Sequence, residues 1–96
     1  MLQYKKLKIG KRNIEALRMK LGKKNLIVLK GKRGYVMCGY LNIGAAEQFE
    51  DVAVKITGVS SFSEALRSSV HSCTAAATRL GIHIGQPLRE VLEIIA

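Results

Sequence analysis

Cys38 is the residue with the most chemistry available to it. It sits in Gly34-Tyr35-Val36-Met37-Cys38-Gly39-Tyr40-Leu41-Asn42, which reads as a strand over 35–41. Val36, Cys38 and Tyr40 then share one face. Glycine weakens a strand interior, and Gly39 marks a bulge or a close approach by a backbone or ligand. A thiol there becomes a nucleophile if a base or cation lowers its pKa. His71 and His83 are the two imidazoles in the chain and therefore the candidate catalytic bases for Cys38. The competing role for Cys38 is that of a small buried hydrophobe.

Metal and cofactor chemistry find little support. Cys38, His71, Cys73 and His83 complete the Cys/His inventory, and no Cys-x-x-Cys occurs. On a helix, His71 and Cys73 would point about 200° apart, so no metal site is expected. Glu47, Glu50 and Asp51 read as a charged loop. No Gly-x-Gly-x-x-Gly and no phosphate loop is present, and no cofactor is expected.

Charge is unevenly distributed. Of 96 residues, 16 are Lys or Arg and 7 are acidic, a net charge of +9. Met1 to Gly34 holds twelve cations against Glu15, leaving +11; the remainder holds four against six, leaving −2. Such a field attracts polyanions. Lys5, Lys6, Lys8, Lys30, Lys32 and Arg33 are the candidate contacts for nucleic acid or a nucleotide phosphate. Tyr4, Tyr35 and Tyr40 add rings on which bases stack. Lysines on exposed strands also blunt edge-to-edge pairing.

The elements that would position these groups follow from periodicity. Residues 4–9, 14–21, 25–30, 35–41 and 52–57 read as strands. Gly31-Lys32-Arg33-Gly34 reads as a hairpin tip with glycines where positive φ is needed. Asn42 caps a short helix over 44–50, with Ala46 and Phe49 inward. Ser61 to Glu64 forms a capping box for a helix over 62–68. Val70, Cys73, Ala77 and Leu80 predict a helix over 70–80, with Cys73 buried and Gly81 at its C′ position. Leu88, Val91, Leu92 and Ile95 predict a last helix over 87–95. Its terminal Ile94-Ile95 points to an oligomer contact, unless the monomer core absorbs it. The expectation is one α+β domain over 1–96. It has a mostly antiparallel sheet of four or five strands, covered by about three helices, the longer ones in the C-terminal half.

The Gly34–Asn42 string resembles the YunC-like family, a small bacterial and archaeal domain family of unknown function. Gly34, Tyr35, Met37, Cys38, Gly39 and Asn42 carry the resemblance, which extends over about 25–95 through Leu80-Gly81-Ile82-x-Ile84-Gly85. It implies a compact α+β domain and no established activity, cofactor or substrate. The family pattern carries Asp where this chain has Asn42. Asn caps a helix about as well as Asp, but it could not serve as an acid or base.

No apolar run is long enough to span a membrane, and the basic start lacks a secretory pattern. Two cysteines without a disulfide framework fit a reducing, cytoplasmic setting. The leading expectation is a homo-oligomeric or partner-binding module of unknown biochemical function. Polyanion binding and a Cys38 thiol enzyme are the alternatives.

Overall fold

A computed structural model describes residues 2–96. Three long strands come first: β1 (Leu2–Ile9), β2 (Arg12–Leu21) and β3 (Lys24–Lys30). They form consecutive antiparallel hairpins with Leu7 opposite Ile14 and Ala16 opposite Leu29. The two tight turns are made possible by Gly10 (φ 63°) and Gly22 (φ 56°), in a region costly for other residues.

The chain continues through β4 (Tyr35–Met37), α1 (Ile43–Gln48), β5 (Ala53–Lys55), α2 (Phe62–Leu66), β6 (Ser72–Cys73), α3 (Ala75–Arg79) and α4 (Leu88–Ile95). The sheet has six strands in sequence order. All pairs are antiparallel except β4 and β5, which run parallel. The α1 crossover between them makes that direction feasible. The fold is therefore α+β, with six strands and four helices among the described residues rather than four or five strands and about three helices.

Alternation places Ile14, Ala16, Ile27, Leu29, Val36, Cys38, Val54 and Ile56 in one buried cluster. Phe62 and Ala65 of α2 and Leu88, Val91, Leu92 and Ile95 of α4 close over it. Burial of a Leu or Ile side chain contributes about 1.5–3 kcal/mol, so α4 is a main source of stability. Ile95 is fully buried in this core, so the terminal apolar run is absorbed within the chain. A smaller cluster, Leu41, Ala46 and Ala53, joins α1 to the opposite face. No helix in the described residues is long and apolar enough to cross a membrane.

Several local expectations are corrected. The segment expected as one helix over 70–80 divides. His71 N–H donates to Lys55 O (2.9 Å) and Thr74 N–H to Ala53 O (3.0 Å), which draws 71–74 onto the edge of β5. Helix α3 starts only after Thr74, its N-cap. Val70 is buried outside any helix, Cys73 is half-buried in β6, and Leu80 is exposed. Phe49, expected inward, is 76% exposed, because α1 ends at Gln48. The 35–41 strand stops at Met37, where Leu41 N–H turns back to Cys38 O (3.0 Å).

The glycines flanking the β3–β4 turn serve a purpose other than the one expected. Neither Gly31 nor Gly34 has positive φ. Both are sites of close approach: a Cβ on Gly31 would meet the Ile95 carbonyl, and one on Gly34 would lie 2.5 Å from Val52 O.

Three caps behave nearly as read. Asn42 Oδ1 accepts from Ala45 N–H (3.2 Å) and Ser61 Oγ from Glu64 N–H (3.2 Å). The Glu64 carboxylate, however, reaches Ser60 N–H (3.1 Å) and Ser60 Oγ (2.7 Å), not the Ser61 amide. Those hydrogen bonds hold the Glu64 pKa below the usual value. Gly81 (φ 95°) takes the C′ position after the shorter α3.

Candidate functional site

Cys38 stands at the carboxyl end of β4. The carbonyl that would have continued the ladder to β3 is taken by the turn to Leu41. Its thiol fills the gap: Ile27 N–H donates to Cys38 Sγ (3.4 Å), and the thiol donates to Asn25 O (3.7 Å). The residue is only 4% exposed. Both hydrogen-bonding capacities of the thiol thus go to the backbone of β3, and the thiol ends the strand in place of a peptide group.

Neither candidate base reaches it. His71 lies on the far side of β5, about 10 Å away by strand spacing. It is exposed, with Nδ1 3.4 Å from Ser72 Oγ. His83 is exposed on the loop before α4, where its N–H donates to Gln86 Oε1 (3.1 Å). The structure therefore does not bring Cys38, His71 and His83 together. Cys73 is half-buried, with Sγ 3.6 Å from Thr78 Oγ1. No group of three or more His, Cys, Asp or Glu side chains among the described residues is arranged to hold a metal ion.

A measurable consequence follows. In the folded protein Cys73 should alkylate well before Cys38, and Cys38 should react only as the chain unfolds. Cys38→Ala should cost about 1–3 kcal/mol, because it strands a buried Ile27 N–H. Alkylation followed by mass spectrometry, with a denaturant melt of the variant, checks both. Fast labelling of native Cys38 would contradict this assignment.

Above Cys38 lies a cavity of about 690 Å³. It occupies the end of the sheet where the parallel strands β4 and β5 terminate. Its walls are Cys38, Gly39 and Tyr40 after β4, Thr57 to Ser60 after β5, and Lys23 to Asn25 at the β2–β3 turn. In the sequence Lys23 and Lys24 are simply two of the twelve cations before Tyr35. Nothing local distinguishes them, since the parallel pairing of β4 with β5 creates the cavity.

The opposite end of the sheet collects the cations. Alternation and register put Lys6, Lys8 and Lys30 on the face away from the main core. Lys11 and Arg12 lie at the β1–β2 turn, and Lys32 and Arg33 at the β3–β4 turn. Lys6, Lys30 and Lys32 line one shallow depression; Lys30, Lys32 and Arg33 line another. Lys5 departs from this group: its ammonium sits 5.3 Å above the Phe62 ring on the helix-covered face.

Glu15 and Asp51 at that end are engaged, whereas Glu50, beside Asp51, and Glu93, in the last turn of α4, are exposed. Glu15 accepts from the Tyr4 hydroxyl (3.0 Å) and lies 3.8 Å from Lys30 Nζ. Asp51 accepts from the Tyr35 hydroxyl (2.9 Å). The Tyr4 pKa is raised chiefly by its hydrogen bond to Glu15. That of Tyr35 is raised by burial first and by Asp51 second. Both phenols stay neutral at physiological pH. Lys30 and Glu15 are exposed, so their pairing contributes at most about 1 kcal/mol.

Residues 37–95 match the family described as "Domain of unknown function (DUF1805)". The chain belongs to that family. A crystal structure of a protein of unknown function from Thermoplasma acidophilum is similar over the whole chain. It shares 32% identity, has a TM-score of 0.97, and is matched over 100% of this chain and 94% of its own. No curated protein matches the chain. The family match takes in Cys38 and both strand ends at the cavity but leaves out β1, β2 and β3, where the cations lie. The similarity to the Thermoplasma protein extends over those hairpins as well.

Proposed function

We propose that this protein is a nucleic-acid-binding module that uses the basic end of the β1–β3 sheet. One observation carries the reading. Lys6, Lys8, Lys11, Arg12, Lys30, Lys32 and Arg33 gather at one end of the molecule, where Glu15 and Asp51 are already hydrogen-bonded. Repulsion among such groups is relieved when a polyanion binds and its counterions are released. Tyr4, 53% exposed on the same face, supplies a ring for a base to stack on.

The same charges disfavour a second copy at this place. The β1 edge is unpaired on one side in the described residues. Self-pairing would set lysines of two copies beside one another, which is unfavourable. Within the family, the Gly34–Asn42 string supports a YunC-like assignment, and the absence of an acid at Asn42 favours binding over catalysis there.

Fluorescence anisotropy with a labelled single-stranded oligonucleotide tests the reading. Seven phosphate contacts predict a log–log salt slope of about −5. Lys32→Ala with Arg33→Ala should weaken binding and make the slope shallower by about 1.4. Arg79→Ala with Arg89→Ala removes the same charge from two exposed positions on α3 and α4 and should have a clearly smaller effect. Equal losses from both pairs, or no binding at low salt, would rule out the assigned interface.

A further inference from the structure

We infer that the cavity beyond the carboxyl ends of β4 and β5 is a binding site for a small phosphate ester, separate from the basic end of the sheet. Three independent features support this. The first is charge. Lys23 and Lys24 stand at the wall, neither has a carboxylate within 4 Å among the described residues, and no acidic side chain lines the space. The Glu64 carboxylate, which bonds the wall residue Ser60, is held by Ser60 and Ser61.

The second feature is unused donors. The backbone N–H groups of Gly39, Tyr40, Thr57, Gly58 and Val59 have no protein acceptor among the described residues. All five residues belong to the cavity wall. Successive N–H groups attract anions where a left-handed residue makes them converge, and Gly58 (φ 71°) has that conformation. The hydroxyl of Thr57 adds a further donor, while those of Ser60 and the Asn25 amide are already committed to Glu64 and to Ser60 O.

The third feature is space. Gly39 has no positive φ and no heavy atom within 4 Å of where a Cβ would be. Neither backbone conformation nor packing within the chain demands glycine there. A glycine at that position leaves the cavity open, and a side chain would begin to fill it. The volume of about 690 Å³ falls within the usual range for small-molecule sites and exceeds the needs of a bare phosphate. Tyr40, 49% exposed, and Val59 offer apolar surface for the organic part. Many donors, two amines and no acid suit a dianion with three terminal oxygens.

Amide chemical shifts during titration with inorganic phosphate and with phenyl phosphate, at constant ionic strength, test the assignment. Saturable shifts centred on Gly39, Thr57 and Gly58 are expected, with phenyl phosphate binding at least about tenfold more tightly, as an extra buried apolar contact allows. Lys23→Ala with Lys24→Ala should weaken both probes about tenfold or more, while Lys32→Ala with Arg33→Ala should leave them unchanged. Gly39→Ala, which meets no atom of the folded chain, should weaken phenyl phosphate more than inorganic phosphate. The proposal fails if shifts do not saturate, centre on Lys32 and Arg33, or survive loss of Lys23 and Lys24. Equal affinity for the two probes would overturn the ester assignment. Unchanged thermal melts establish that each variant is folded.

Discussion

Replacing Thr74 with valine should lower stability by about 3 kcal/mol or more, although the two side chains are nearly the same size. Thr74 is fully buried. Its hydroxyl donates to Asp51 O (2.6 Å) and accepts from Ala53 N–H and Ala77 N–H (both 3.2 Å). One oxygen thus ties the loop before β5, β5 itself and the first turn of α3. Valine would leave all three backbone groups without their partner in a buried site. Each such loss costs about 1–3 kcal/mol, and the terms share one oxygen, so they do not simply add. A domain of this size has a total stability of about 5–14 kcal/mol. The melting temperature should fall by roughly 12–24 °C. Thr74→Ser keeps the hydroxyl and should cost only about 1 kcal/mol, the loss of a buried methyl. If serine and valine destabilised equally, packing rather than the hydrogen bonds would account for Thr74.

Gly31→Ala should be nearly as damaging, by about 3 kcal/mol, at the upper end of overpacking costs. The added carbon would collide with the Ile95 carbonyl and lie 2.6 Å from its carbon and 2.9 Å from Ala96 Cα. These are backbone atoms, so no rotamer change relieves the clash. The same carbonyl accepts from Arg33 N–H (2.9 Å), and Arg12 donates to Ala96 O (3.3 Å). Displacing the end of α4 would therefore loosen the β3–β4 turn as well. Hydrogen exchange should show lost protection concentrated in α4 and at Arg33. Gly39→Ala provides the contrast: the same added methyl meets nothing within 4 Å and should change stability by less than about 0.5 kcal/mol. A Gly31→Ala protein as stable as Gly39→Ala would mean that α4 does not dock as described.

Where the determinants are local, the sequence is informative. The alternation in β1 to β3 and the Leu88, Val91, Leu92, Ile95 stripe of α4 each repeat over enough residues to fix an element and its buried face. Asn42, Ser61 and Gly81 fulfil cap roles that depend only on neighbours along the chain. The concentration of cations before Tyr35 is visible from counting, and alternation alone separates Lys5 from Lys6 and Lys8.

Long-range pairing decided the rest. Val70, Cys73, Ala77 and Leu80 have helical spacing, but the hydrogen bonds available on the edge of β5 claim 71–74 first, and Thr74 then caps a shorter helix. Cys38 sits in a string that suggests reactive chemistry, yet the turn back to Leu41 gives its thiol an acceptor role toward Ile27. Whether His71 could reach it depended on how many strands lie between them, which no local pattern encodes. The glycines at 31 and 34 are equally legible as turn residues, and only the docking of Ile95 and Val52 shows that they are needed for clearance. The sequence by itself determined the faces of β1 to β3 and of α4, the Asn42, Ser61 and Gly81 caps and the unequal charge, because these rest on contacts a few residues apart. The parallel pairing of β4 with β5, the cavity beyond their ends and the convergence of Lys6, Lys30, Lys32 and Arg33 belong to the tertiary structure alone, because each brings together residues far apart along the chain.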